Sequence, residues 1–342
     1  MYQLRLSSIV EGRVNLGMQK RAVTSANDLK KIRAAKVSVA SNSFLVVGKL
    51  TAGFYMGSIS VISDGIHSGL DLVAALIAFA AVRKAAQQAD HTHRFGHGKF
   101  ENLAGTVEGL LIFAAAVAII ANALPRLYNP VEVQALGLGG VVIGTAIVLN
   151  TLVSRHIMRV AVETDSPALK ANAWHLRSDV YTSVGVLAGL GLIKLTGLTI
   201  LDPLVAIAVS LIILRAAYGV VRDSVRGLLD ARLPEDDETK IHRVLQQFAT
   251  EFPDYHALRT RKAGSEQHID LHLVTASALP VAEAHSLCVR VEREIVKVFP
   301  NSQVLIHIEP CDDDCVVCGQ GRTCTYSDLD LQDENNRPPR ER

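Results

Sequence analysis

The sequence predicts a membrane α-helical protein, with six transmembrane helices followed by a small cytosolic α+β domain of αββαβ order. Three observations predict it. The 342-residue chain is 49% hydrophobic and only 20% charged, with a mean hydropathy of +0.24, which is too apolar for an ordinary water-soluble domain. Most of its charge lies before residue 37, between 83 and 101, and after 215. The intervening stretches are apolar over lengths near the roughly 20 residues that a bilayer-spanning helix needs.

Six apolar blocks follow in order, at about 37–56, 58–82, 103–124, 136–155, 173–195 and 200–219. Gly57 separates the first two. Pro125 and Pro130 close the third, and Asp202-Pro203 opens the sixth, since proline is tolerated in a first helical turn. Gly, Ala and Ser recur throughout, as close helix packing in lipid requires. Lys and Arg set the orientation. Lys20, Arg21, Lys30, Lys31, Arg33 and Lys36 precede the first span, and Arg83, Lys84, Arg94, Lys99, Arg155, Arg159 and Lys170 lie in alternate loops. Both termini are therefore expected in the cytoplasm. The first 36 residues lack a continuous apolar core ahead of a small-residue cleavage site, so no cleavable leader is expected.

After about residue 220 the composition is that of a soluble domain. Pro234-Glu235-Asp236-Asp237-Glu238 starts a helix with an acidic first turn, and Ile241, Val244, Leu245 and Phe248 form its apolar stripe. Residues 256–263 and 266–275 read as strands around Gly264-Ser265, residues 280–299 as an amphipathic helix, and residues 303–309 as a last strand. Helices on one face of a three-stranded sheet are expected. The divisions expected are a cytosolic segment 1–36, a transmembrane domain 37–219, a regulatory domain 220–310 and a polar cysteine-containing tail 311–342. A net charge of +1 gives no global field for nucleic acid.

The chemistry lies in charges at membrane depth, each costing at least about 2.5–3.5 kcal/mol on insertion scales. Asp64, His67 and Asp71 form one stripe of the second block, and His175 and Asp179 are one turn apart in the fifth. A single membrane histidine is commonly a packing residue, but two His-x-x-x-Asp pairs on separate spans can close one tetrahedral site. Two imidazoles and two carboxylates suit Zn²⁺, whereas an all-oxygen set suits Mn²⁺ or Mg²⁺ better. Four protein ligands leave no position for an activated water, which favours carriage over hydrolysis. Imidazole also exchanges metal for protons near neutral pH. Lys49 and Glu108 read as snorkelling or pairing residues, and Arg177 as an interfacial anchor.

These stretches resemble the cation diffusion facilitator family of divalent-metal/proton antiporters, most of all its bacterial zinc and iron efflux branch. The matching motifs are Gly57-Ser58-Ile59-Ser60 leading to Asp64-x-x-His67-x-x-x-Asp71, then Asp90-x-x-His93-Arg94-Phe95-Gly96-His97-Gly98-Lys99, then His175-x-x-x-Asp179, and Leu229-Asp230-x-x-Leu233-Pro234. The resemblance covers about residues 32–310. It implies a transport site of His67, Asp71, His175 and Asp179. The first of these is an aspartate in the bacterial prototype, and the histidine here matches zinc-selective members. Asp64 has no ligand counterpart in the prototype and is placed behind the ligands or on an access path.

The resemblance further implies a loop metal site of Asp90, His93 and His97, and a charge pair of Lys99 with Asp230 between the membrane and cytosolic parts. It implies a cytosolic site of His256, His272, His285, His307 and Glu309, where Glu309 stands for an aspartate and His268 is a further candidate. The implied function is a homodimer, seated in membrane lipid, that exports Zn²⁺, with Cd²⁺ or Fe²⁺ as other cargo, against protons by alternating access. Divalent metal ions are then both cargo and regulators. Outside the resemblance, Cys311, Cys315, Cys318 and Cys324 place four thiols in fourteen residues. They suit a soft metal ion, against the alternative of a reactive or unused tail. The rival functions are a transport-inactive metal sensor or scaffold and an intramembrane zinc hydrolase. The hydrolase predicts a His-Glu-x-x-His helix that the sequence does not contain.

Overall fold

The computed structural model describes the backbone of residues 2–57, 59–128 and 139–311, and the side chains of 26–55, 57, 61–128, 140–189 and 191–311. The elements are α1 (Tyr2–Met56), α2 (Ile59–Ala85), α3 (Lys99–Tyr128), α4 (Gly139–Glu163), α5 (Pro167–Thr196), α6 (Leu201–Leu228), α7 (Glu235–Gln246), β1 (Asp254–Ala263), β2 (Glu266–Thr275), α8 (Val281–Val298) and β3 (Ser302–Pro310). They group into two compact units, one built on Ser25–Leu229 and the other on the elements from α7 onward.

In the first unit six helices are long and apolar enough to cross a membrane, the first of these spans being Ala26–Tyr55 within α1. Each helix outruns the apolar block that announces it, because its polar end turns satisfy their own backbone without needing an apolar face. Pro125 does not close α3, which runs on to Tyr128. In a last turn, proline forfeits its own hydrogen bond without stopping the following residues from keeping helical angles. Pro130 lies outside the described residues.

Exposure is inverted relative to a soluble bundle. Phe44, Val47, Phe54, Leu70, Phe113, Leu152 and Ile212 face outward, while the interior is rich in small residues such as Ala34, Ala35, Ala81, Ala104, Ala161 and Ala173 around Ile157 and Leu176. Small residues let helix backbones approach where no hydrophobic force drives them together. Gly105 and Gly109 on α3 carry this furthest. A Cβ on Gly105 would stand 2.5 Å from Ser224 Oγ, and one on Gly109 would stand 2.7 Å from Val221 Cγ2, both on α6. A side chain at either position would therefore force α6 side chains to shift.

In the second unit the sheet order is β1-β2-β3, with β2 and β3 parallel and His272 level with His307. Ile269, Leu271 and Leu273 of β2 alternate into a core with Ile241, Val244 and Leu245 of α7 and Leu287, Val291 and Ile295 of α8. Both helices thus cover one sheet face, and strand alternation leaves His272 on the other.

Candidate metal centres

The deepest cluster is built by α2 and α5. Ser166 caps α5, its hydroxyl accepting from Leu169 N–H at 3.3 Å, and Pro167 follows in the first turn. The helix so started carries His175 and Asp179 on one stripe. His175 Nε2 lies 3.1 Å from Asp71 Oδ1, and one ligand atom each of Asp71, His175 and Asp179 lies within 4.8 Å of the others. The corners of a tetrahedral zinc shell with bonds of about 2 Å are about 3.3 Å apart, so small side-chain movements close these three on one ion. The side chains of Asp71 and His175 are only 12% and 13% exposed. Charged groups so removed from water need an ion or one another.

His67 does not join this group. It lies one turn before Asp71 on α2 and its side chain is exposed. Asp64, three residues further back, is held by Lys49 of α1, whose Nζ stands 2.9 Å from its Oδ2 and 2.8 Å from Ser68 Oγ. Lys49 therefore pairs across helices rather than reaching for the membrane surface.

The second cluster lies between α2 and α3. Asp90 Oδ1 accepts hydrogen bonds from Thr92 Oγ1 and Thr92 N–H, both 2.8 Å, and from His93 N–H at 2.7 Å. The Thr92 hydroxyl first and the His93 amide next hold this carboxyl far below the usual carboxylate range. Its other oxygen lies 3.3 Å from His97 Nε2, and the His93 and His97 rings are 4.5 Å apart. His97 is 2% exposed, yet neither ring nitrogen makes a hydrogen bond among the described residues. Such an orphaned buried imidazole fits a metal ion, which would supply the missing partner.

The third cluster sits on the sheet face opposite α7 and α8. Glu309 Oε1 lies 2.9 Å from His272 Nδ1 and 3.8 Å from His307 Nε2, and Glu309 Oε2 lies 3.2 Å from His256 Nε2. His256, His272 and Glu309 offer ligand atoms within 4.8 Å of one another. His285 lies on α8, outside that group. His268 is buried with its Nε2 3.9 Å from Glu266 Oε2, also outside the group. Cys311 is buried, and its N–H donates to the Thr275 carbonyl at 2.8 Å. Cys315, Cys318 and Cys324 lie outside the described residues. Lys99 Nζ donates to the Leu228 carbonyl at 3.2 Å, and Asp230 Oδ1 accepts from Arg261 at 3.2 Å.

Two polar chains join α1, α3 and α5, and the sequence pointed to a pairing role only for Glu108. Lys31 Nζ lies 2.9 Å from Glu101 Oε1 and 2.8 Å from Asp28, and the capping hydroxyl of Ser166 donates to the other Glu101 oxygen. Ser38 Oγ donates to Asn172 Oδ1 at 2.7 Å, and Asn172 Nδ2 donates to Glu108 Oε1 at 3.4 Å. The usable signal was spacing, since Asn172 stands one turn before His175 and Glu108 lies in the apolar block 103–124, which holds no Lys or Arg.

Residues 35–229 match the cation efflux transmembrane domain and residues 233–311 match the cytoplasmic domain of cation efflux proteins. The chain belongs to the cation diffusion facilitator family. It is a multi-pass membrane cation efflux transporter. Among similar proteins, the uncharacterized transporter sll1263 of Synechocystis sp. is 35% identical over 78% of this chain and 86% of its own. The cation-efflux pump FieF of Serratia proteamaculans is 34% identical over 81% of this chain and 92% of its own. A solved metal-bound C-terminal domain of the CzcD transporter from Thermotoga maritima is 29% identical, covering 22% of this chain and 87% of that one, with a TM-score of 0.21.

Proposed function

We propose that this cation efflux transporter exports Zn²⁺ from the cytoplasm in exchange for H⁺, as an inner-membrane homodimer with both termini in the cytoplasm. The observation that carries the reading is the Asp71, His175 and Asp179 cluster, three ligand atoms within 4.8 Å at membrane depth. Mixed imidazole and carboxylate donors favour Zn²⁺ over the hard ions that prefer oxygen alone. His67 is the fourth ligand, delivered by a rotamer change on α2, since it shares the Asp71 stripe. A metal bound by imidazole and carboxylate competes with protons for the same lone pairs, so release on the acidic side and loading on the neutral side give exchange.

Asp90, His93 and His97 would hold a second ion, and His256, His272, His307 and Glu309 a third. Such ions supply fixed positive charge that bridges flexible segments. Bound metal biases inward against outward states only by its differential affinity for them. The sheet face bearing the third cluster is left uncovered by α7 and α8, which suits it to a second copy. The cysteine tail is assigned to capture of a soft ion.

The test is zinc flux into proteoliposomes under a pH gradient. Wild type should accumulate Zn²⁺ at a rate that grows with the gradient. Flux that ignores the gradient would refute exchange, and undiminished flux in His175→Ala with Asp179→Ala would refute the site.

A further inference from the structure

The Glu108 carboxylate is fully buried in α3, and only one of its oxygens is held. Oε1 accepts from Asn172 Nδ2 at 3.4 Å, while Oε2 makes no hydrogen bond among the described residues. The amide that holds it is itself tied to α1 by Ser38 Oγ at 2.7 Å. All three side chains are at most 1% exposed. Asn172 stands one turn before His175, so the held oxygen marks a level one turn toward the Pro167 end of α5 from the metal cluster. One turn beyond Ser38 on the same face of α1, Ser41 Oγ and Asn42 Nδ2 are buried and also without hydrogen bonds among the described residues.

An unsatisfied buried polar atom is costly, and more so when charged, so these atoms call for an occupant. The donor chemistry narrows it. A carboxylate repels anions, and the unpaired Glu108 and Ser41 oxygens can receive a cation that still keeps part of its water shell, while the Asn42 amide nitrogen, a donor, needs an acceptor such as one of those waters. This inference rests on the transport reading above. We infer that Glu108, with Asn172, is a transient binding step for the divalent cation on its way from the cytoplasmic ends of α1 and α5 to Asp71, His175 and Asp179.

The role gives Glu108 a kinetic signature distinct from that of the transport ligands. A loading step contributes to capture but not to the later turnover of the loaded site, so its loss raises KM and spares kcat. Full-length protein in proteoliposomes, with initial Zn²⁺ flux measured against Zn²⁺ concentration at a fixed pH gradient, reads this directly. Glu108→Gln keeps the volume and an acceptor for Asn172 but removes the charge. It should raise KM about ten-fold, the lower range for groups that support a metal site, with kcat within about two-fold of wild type. Glu108→Asp keeps the charge and should give a smaller rise. It also carries the test if the glutamine variant does not assemble, since an unchanged KM in the aspartate variant would then overturn the inference. An unchanged KM in Glu108→Gln would overturn it, as would a fall in kcat at unchanged KM, which would assign Glu108 to the counter-proton or to the conformational step. His175→Ala separates the two readings. If it abolishes flux while Glu108→Gln keeps the wild-type KM, only the loading step fails; if it leaves flux intact, the transport site fails first.

Discussion

Removing one end of the Lys31–Glu101 pair should destabilise the transmembrane unit far more than removing both. The two side chains are 3% and 1% exposed and stand 2.9 Å apart, and the second Glu101 oxygen takes the hydroxyl that caps α5. Glu101→Leu strips the lysine of its buried partner and the cap of its acceptor. Breaking a buried pair from one side costs about 3–5 kcal/mol, because the surviving charge stays out of water. Here Asp28 remains 2.8 Å from the ammonium, with a side chain 17% exposed. That residual pairing puts the expected cost at the low end, about 3 kcal/mol. Lys31→Met with Glu101→Leu leaves no buried charge in the pair, frees Asp28 to turn to solvent and keeps the Ser166 bond to Leu169 N–H. It should therefore recover about 2 kcal/mol of the loss, within the coupling range of contacting residues. Thermal unfolding of the purified protein in one detergent, compared across the two single variants and the double, measures this. A double variant as unstable as the sum of its singles would refute the claim that the pair is coupled through burial.

Other outcomes follow from the same geometry. Gly105→Val should lower the unfolding temperature strongly, since its Cβ would meet Ser224 Oγ at 2.5 Å, and overpacking of this kind costs about 1–3 kcal/mol or more. Thr92→Val should raise the Asp90 titration midpoint toward the ordinary carboxylate value near about 3.9, because the largest cause of its depression is the Thr92 hydroxyl. The sign follows from that depression. The ionised Asp90 stabilises the loop at all pH above the ordinary value and its contribution is lost only as pH falls through the lowered one, so the variant should lose it at higher pH, read by carboxyl carbon chemical shifts. His272→Ala with Glu309→Gln should remove one bound zinc per chain from equilibrium dialysis while leaving the core of Ile269, Leu271 and Leu273 folded, because those side chains point to the opposite face. An unchanged zinc count would reject that site.

The fold was largely legible because two periodicities are strong. Apolar blocks near 20 residues mark the spans, and alternation from His268 to Leu273 marks a strand whose Ile269, Leu271 and Leu273 are buried. Helix ends were less legible, since capping is local: Ser166 starts α5 well before its apolar block, and Pro125 ends nothing. The candidate site was legible as far as spacing reaches. His175, Asp179 and Asp71 converge, but i to i+4 spacing says only that His67 shares a face with Asp71, not that both rotamers turn to α5. His285 shows the same limit, because its motif position does not reveal which sheet face α8 covers. Contacts between distant helices, such as Ser38 with Asn172 and Glu108, depend on tertiary packing that no local pattern encodes.

The central claim is that Asp71, His175 and Asp179 form the carrier's metal site. Zn²⁺ binding to the Asp71→Asn, His175→Ala and Asp179→Asn variants, measured alongside proton-driven Zn²⁺ flux in proteoliposomes, tests it most directly. Each variant should lose one bound ion per chain and nearly all flux, while the loop and cytosolic ions remain. Variants that keep both the ion and the flux would contradict it.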